Sequence, residues 1–408
     1  MSKRAKPRVE LAPEFPVLDT MRAVGAVAVL TTHTAFQAGD YLRHGVLGSL
    51  LSRLDIGVAL FFVLSGFLLA RPWLARAATG TPRPVVHRYY RKRLLRIYPV
   101  YVVTVVLALT LIPANRGRTV GEWVTTLLLG DVYSQGRPNQ GLTQMWSLSV
   151  EVAFYAVLPL LMRLALGTHR GLRTRRIAAV LAGLALLSAW WHLDLADKIG
   201  AHTSGNPMMW LPGYLVWFAV GIAFAWAHVV GQASRRPHRL VRGLWSLGSM
   251  PGVCWVLAGG LMLVASSPVA GPTLLFVATP GQSLTKHLLY AAIAALVVLP
   301  GVFGPAGSAY RRAMSWAPLR HLGHISYSVF CIHLPILYGV MALTDYPLFG
   351  GHGLQIWLLT LAATLVAAEV LYRAVELPFM RLKEIGGPRR PEAPAAPPRR
   401  KPHTSTTR

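Results

Sequence analysis

Two cysteines, Cys254 and Cys331, are all that the 408-residue chain contains. Both fall inside apolar runs and lack metal-ligand spacing, so neither a disulfide framework nor a cysteine-based metal site organises the fold. Charge is scarce as well. Only 14% of the residues are Asp, Glu, Lys or Arg, where a soluble domain carries about a quarter. Acidic residues are scarcest, 15 against 41 Lys and Arg, for a formal net charge of +26. On a soluble domain such an excess would point to nucleic acid. Here the cations are broken up between apolar segments, which excludes a single basic patch and fits loops that obey the positive-inside rule. No internal repeat is visible, which counts against the inverted-repeat plan of many transporters.

What the chain does have is apolar length: 53% hydrophobic residues and a mean hydropathy of +0.45. The pattern predicts an all-α polytopic membrane protein. Ten spans are expected, at about 17–37, 55–73, 97–112, 144–166, 177–193, 210–230, 251–267, 284–303, 322–343 and 354–375, each near the ~20 residues that a bilayer requires. Before them comes a basic segment, 1–16, with Pro13 and Pro16 at its end. Arg22 inside the following run, and the lack of a small-x-small cleavage site, argue against a signal peptide. The domain plan is therefore 1–16, a ten-helix membrane domain over 17–380, and a disordered Pro/Arg-rich tail over 381–408. Lys and Arg divide 32 to 6 between alternate inter-span segments, with three more in or beside spans. That split places both termini in the cytoplasm, together with a dense basic loop at 71–96 and another at 231–245.

Ionisable residues inside spans are costly and face a bundle interior or a wet cavity. The first span holds two, Arg22 and His33. Eleven residues apart, they lie roughly 20° from three full turns and about 16 Å apart along the helix, on nearly one face. Arg93 and Arg96 frame RLLR at the mouth of the third span. They read either as ordinary flanking cations or as forks matched to phosphate oxygens. Glu151, in WSLSVE, is a carboxylate in the outer half of the fourth span, paired with a neighbouring polar group or placed in a reaction cavity. A last cluster, HLGHISYSVFCIHLP, carries His321, His324, Tyr327 and His333. His324 and His333 are nine residues apart, about half a turn out of register, so they cannot form a metal pair on one helix face.

These stretches, taken together, resemble a known family. LDTMRAVGAVAVLTTHTAF, GVALFFVLSGFLL, RKRLLRIYP, MWSLSVEVAFY, LGHISYSVFCIH and VELPF are similar, in that order, to the signatures of the acyltransferase 3 family of integral-membrane O-acyltransferases. The likeness covers about 17–380 and fits the stand-alone subtype. The chain departs from the family at Ala59 and Val152, where many members carry an acidic residue. The resemblance implies transfer of an acyl group from cytoplasmic acyl-CoA, with acetyl-CoA the expected donor, to a hydroxyl of a sugar, cell-envelope glycan or glycosylated small molecule. It implies no bound cofactor, no metal and no nucleic-acid partner, and a multi-pass location in the cell membrane. It carries the family's essential histidine onto His33, the paired arginine onto Arg22, the Arg-x-x-Arg pair onto Arg93 and Arg96, and the span-four glutamate onto Glu151. In this reading His33 is the general base, Arg22 serves the donor side of the same tunnel, and Arg93 and Arg96 hold the donor's phosphates. Glu151 orients His33 or holds the acceptor. The competing reading is a transporter or flippase of a polar lipid or drug that uses Arg22, His33 and Glu151 as substrate or proton sites.

Overall fold

A computed structural model describes residues 9–11, 13–134, 139–167, 171–234, 236–273 and 277–382. The start of the basic N-terminal segment and nearly all of the Pro/Arg-rich tail, 1–8 and 383–408, lie outside the described residues. Those described form an all-α bundle with no strand.

Among the described residues, ten helices of fifteen or more residues correspond one to one with the expected spans. They are α1 (Pro16–Ala38), α2 (Gly57–Thr79), α3 (Val86–Leu111), α4 (Met145–Leu166) and α5 (Thr174–Trp190). Then follow α6 (Leu211–Ala233), α7 (Pro251–Ala265), α8 (Pro280–Phe303), α9 (Ala317–Thr344) and α10 (Gly353–Leu371). Among the described residues, eight helical stretches are individually long and apolar enough to cross a membrane. A ninth becomes so if Arg239–Gly248 and α7, which meet at 92°, count as one broken span. The protein is thus a multi-pass membrane protein.

The helix that does not qualify by apolarity is α1. Asp19, Arg22 and His33 lower its hydropathy, and its position explains how they are tolerated. It packs along α9 and also touches α2, α8 and α10, so protein rather than lipid surrounds much of it. Val17, Leu18, Met21, Val29 and Leu30 are buried in these contacts. Small residues let the backbones approach. A Cβ on Gly323 of α9 would overlap the carbonyl of Asp19 in α1. At the α2–α6 crossing, Gly66 and Gly221 each lie against backbone of the opposite helix.

Two expectations about loops are corrected. The stretch 71–96 is not a loop: α2 runs to Thr79, Gly80 ends it in the left-handed region, and α3 begins at Val86. Arg, Lys, Leu and Tyr between 88 and 96 all support helix, and only Gly80, Pro82 and Pro84 punctuate the connection. Likewise 231–245 contains the end of α6 and most of the helix Arg239–Gly248. Arg71, counted with the loop cations, is buried in α2. It donates to the Glu10 carbonyl at 2.8 Å and to Gln232 Oε1 at 3.1 Å, which ties the N-terminal segment to the bundle.

Beyond α10 the chain widens into a π turn, Tyr372–Glu376, before the short helix Leu377–Arg381. The turn swings Glu376, from the VELPF motif, inward to accept a 2.9 Å hydrogen bond from Ser328 of α9.

Candidate functional site

The arginine cluster is built from three helices. One turn apart on α3, Arg93 and Arg96 present adjacent guanidinium groups to the interior. Arg22 joins them from α1, and all three line one open cleft with Ser65, Glu151, Tyr155 and Tyr327. Their donors are largely unspent. Arg22 makes no hydrogen bond or ion pair among the described residues. The buried Nε of Arg93 has no partner, and its guanidinium carbon sits 5.9 Å from the ring centre of Tyr155. Among the described residues Arg96 hydrogen-bonds only the Met380 sulfur, at 3.6 Å. Three guanidinium groups with unspent donors thus face one open cleft, an arrangement whose chemistry matches the oxygens of an anion.

Glu151 is held rigidly in the same cleft. Tyr155, one turn further along α4, donates its phenol proton to Glu151 Oε1 at 2.6 Å. The hydroxyl of Ser65, from α2, donates to that oxygen as well. The structure therefore brings Arg22, Arg93, Arg96 and Glu151 together, but it does not bring Glu151 to His33.

His33 lines a second cavity with Thr32, Phe36, Tyr41, Ser52, Asp55, Gln144 and Trp146. The two cavities share a wall: Val58, Ser147 and Phe330 border both. Arg22 and His33 thus open into adjoining spaces.

The partner of His33 is His333 of α9, 300 residues away. His33 Nδ1 and His333 Nε2 are 2.9 Å apart. His333 is fully buried, and its Nδ1 lies 2.8 Å from the Phe330 carbonyl and 3.2 Å from that of Val329. Pro335 lacks the N–H that would bond the Cys331 carbonyl one turn back. Gln144 fills that place, donating from Nε2 at 2.9 Å, so α9 is pinned to the start of α4 close to His333. Gln144 Oε1 is left buried without a partner.

Sequence reasoning missed several of these residues. Tyr155 was available from its i,i+4 spacing to Glu151. His333 was already in view as a histidine off the His324 face, though not as the partner of His33, and the two indeed part company: His324 approaches Asp19 at 3.5 Å, while His333 meets His33. His321 pairs with Glu369 at 2.8 Å. Asp55 was taken for the edge of a span. It borders the His33 cavity, bonds to Lys286 Nζ at 2.7 Å and accepts from the Tyr290 hydroxyl.

Fold and site define a polytopic helical membrane protein whose interior sets an arginine-lined cleft beside a histidine pair. Residues 15–373 match the family described as acyltransferase domain, and the chain belongs to that family. It is 25% identical over 391 residues to the peptidoglycan O-acetyltransferase OatA of Listeria monocytogenes, covering 90% of this chain and 56% of the relative. It is 28% identical over 422 residues to the acyltransferase MdmB of Streptomyces mycarofaciens, covering 94% and 95%. Nodulation protein 10 of Rhizobium leguminosarum bv. viciae is 22% identical over 395 residues, covering 90% and 93%. The chain thus spans little more than half the length of the OatA relative and nearly all of the other two. No solved structure matches it.

Proposed function

We propose that the protein is an O-acyltransferase that moves an acyl group from acyl-CoA to a hydroxyl of a glycan or glycosylated small molecule. One observation carries this reading: the arginine cleft and the His33 cavity adjoin across Val58, Ser147 and Phe330. A phosphate-rich thioester donor suits the first, and a neutral polyol suits the second. The reaction occurs where they meet.

In this reading Arg22, Arg93 and Arg96 bind the phosphates of coenzyme A, and the pantetheine arm runs toward the shared wall. Glu151, fixed by Ser65 and Tyr155, accepts a hydrogen bond from an amide of that arm. The acceptor hydroxyl enters the cavity beside His33, whose imidazole takes its proton as the oxygen attacks the thioester carbon. The new C–O bond forms, the C–S bond breaks, and the departing thiolate takes up the proton from His33. The 32-to-6 division of cations supports a cytoplasmic position for the basic start of α3, on the side where acyl-CoA resides.

The relatives' names support the acceptor class, since one is a peptidoglycan O-acetyltransferase. Family membership over 15–373 favours transfer over transport, the competing expectation. The test is a transfer assay with isotopically labelled acetyl-CoA, the purified protein in vesicles, and peptidoglycan fragments or glycosylated small molecules as acceptors. Label should pass to an acceptor, or to water when acceptors are omitted. Donor left intact in every arm, with the protein folded, removes the proposal.

A further inference from the structure

The contact between His33 and His333 contains more information than proximity. The two rings are inclined by only 16° and their centroids are 5.1 Å apart. The bonded nitrogens are 2.9 Å apart, so the remaining 2.2 Å (5.1 − 2.9) is the span of two ring radii. The rings therefore meet edge to edge, nearly in one plane, with a linear N···N contact. That geometry defines a donor and an acceptor.

Which is which follows from the far side of His333. Its Nδ1 faces two backbone carbonyls, Phe330 at 2.8 Å and Val329 at 3.2 Å. Carbonyl oxygens only accept, so Nδ1 bears the proton. His333 is sealed from solvent, and among the described residues no carboxylate hydrogen-bonds it. A buried charge without a partner is costly, so the ring is neutral and its Nε2 is a lone pair. His33 Nδ1 must then be the donor. In neutral His33 the lone pair is left on Nε2, which makes no hydrogen bond among the described residues and is not sealed inside.

We infer that His333 is a positioning residue: it fixes His33 as the Nδ1–H tautomer, so that Nε2 meets the acceptor hydroxyl as a proton acceptor. The inference rests on the proposal that His33 is the base. The carbonyls of α9 play the part that a carboxylate plays in a hydrolase triad, in that they dictate the tautomer through an intervening group. Unlike a carboxylate, they add no negative charge beside the base. Asp55, the acidic residue lining the same cavity, is already engaged by Lys286 and Tyr290. Tyr41 is occupied too, donating to the Thr32 carbonyl at 2.7 Å.

Nitrogen-15 NMR of histidine-labelled protein in lipid nanodiscs tests the assignment directly. The resonance pair missing from His33→Gln identifies His33. Wild type should show it protonated at Nδ1 and bare at Nε2, and in His333→Ala it should shift toward the Nε2–H form that free imidazole side chains favour. A wild-type His33 protonated at Nε2, or a His333→Ala spectrum with His33 unchanged, overturns the inference. Kinetics supply the second arm. His333→Ala should lower kcat roughly 10²-fold, the lower end of what a general base contributes, with KM for acetyl-CoA unchanged. His333→Gln places an amide oxygen near the lost Nε2 and should recover most of the turnover. A His333→Gln protein as slow as His333→Ala, although folded and with His33 still in the Nδ1–H form, also counts against the inference. Full turnover in His33→Gln would instead remove the base assignment while leaving the tautomer result standing, so the two failures are distinguishable.

Discussion

Lys286 reaches from α8 to Asp55, its Nζ 2.7 Å from the carboxylate, and lies over the ring of Tyr290 at 5.1 Å. Tyr290 donates to the other carboxylate oxygen. The pair fastens α8 to the turn that precedes α2, beside the cavity of His33. Both side chains are partly exposed, 25% for Lys286 and 39% for Asp55, so solvent screens the attraction.

Breaking that pair should affect stability more than chemistry. Lys286→Met leaves Asp55 with one donor and should cost about 1 kcal/mol, the upper range for a partly exposed ion pair. Combining it with Asp55→Asn should recover part of the loss, because the unpaired charge goes too. Thermal unfolding of the two single variants and the double in detergent checks this. Strictly additive losses would show that the pair is uncoupled.

His33→Ala should reduce acyl transfer by about 10² to 10⁴-fold, the usual contribution of a general base. His33→Gln should be nearly as slow, since an amide hydrogen-bonds but cannot take a proton at this position. Both proteins should still insert, because removing one imidazole from a cavity wall makes α1 no less apolar. Single-turnover transfer rates on equal amounts of membrane-inserted protein decide the matter. A wild-type rate for His33→Gln would make His33 structural.

How much of this was legible beforehand depends on which distances are local. The boundaries of α4 and α6 were nearly right because each is a single apolar run flanked by breakers or loops. The start of α3 was placed eleven residues late because a dense run of cations was equated with a loop. Arg, Lys, Leu and Tyr form helix readily, and charge density says where a segment ends up, not whether it is helical. That Arg22 and His33 face the interior was legible from their cost in lipid. Glu151 was expected to orient His33 or to hold the acceptor, and the first of these rested on similar depth in the bilayer. Depth does not fix a residue's position around the bundle, and Glu151 lies with Ser65 and Tyr155 instead. The bond from His33 to His333 spans 300 residues, and no spacing rule reaches that far.

The connection between α2 and α3 tests orientation. Val85 is 49% exposed there, and both native cysteines are buried. Val85→Cys should therefore be labelled selectively. If the basic end of α3 faces the cytoplasm, a membrane-impermeant maleimide should leave Val85→Cys untouched in intact cells and label it in inside-out vesicles. Labelling in intact cells would invert the topology and put the arginine cleft on the wrong side for cytoplasmic acyl-CoA.

The arginines make the sharpest contrast with His33, because binding and chemistry should separate between the two cavities. Arg93 has a buried Nε without a hydrogen-bond partner, so in the proposed reading its fork is free to take a ligand. A charge-assisted hydrogen bond contributes about 1.5–3 kcal/mol. Arg93→Ala should therefore raise KM for acetyl-CoA by roughly 10- to 100-fold, at 1.4 kcal/mol per tenfold, and leave KM for the acceptor unchanged. Arg93→Lys should recover only part of the loss, since a point charge does not reproduce a planar fork. Arg96→Ala should behave similarly, because among the described residues its one hydrogen bond is a weak one to the Met380 sulfur. The loss should grow as ionic strength falls, where charge attraction contributes most to wild-type binding. Steady-state kinetics with each substrate varied in turn at two salt concentrations provide the check. An Arg93→Ala protein with unchanged KM for acetyl-CoA would mean that these cations serve topology alone, and the phosphate site would have to be sought outside the cleft.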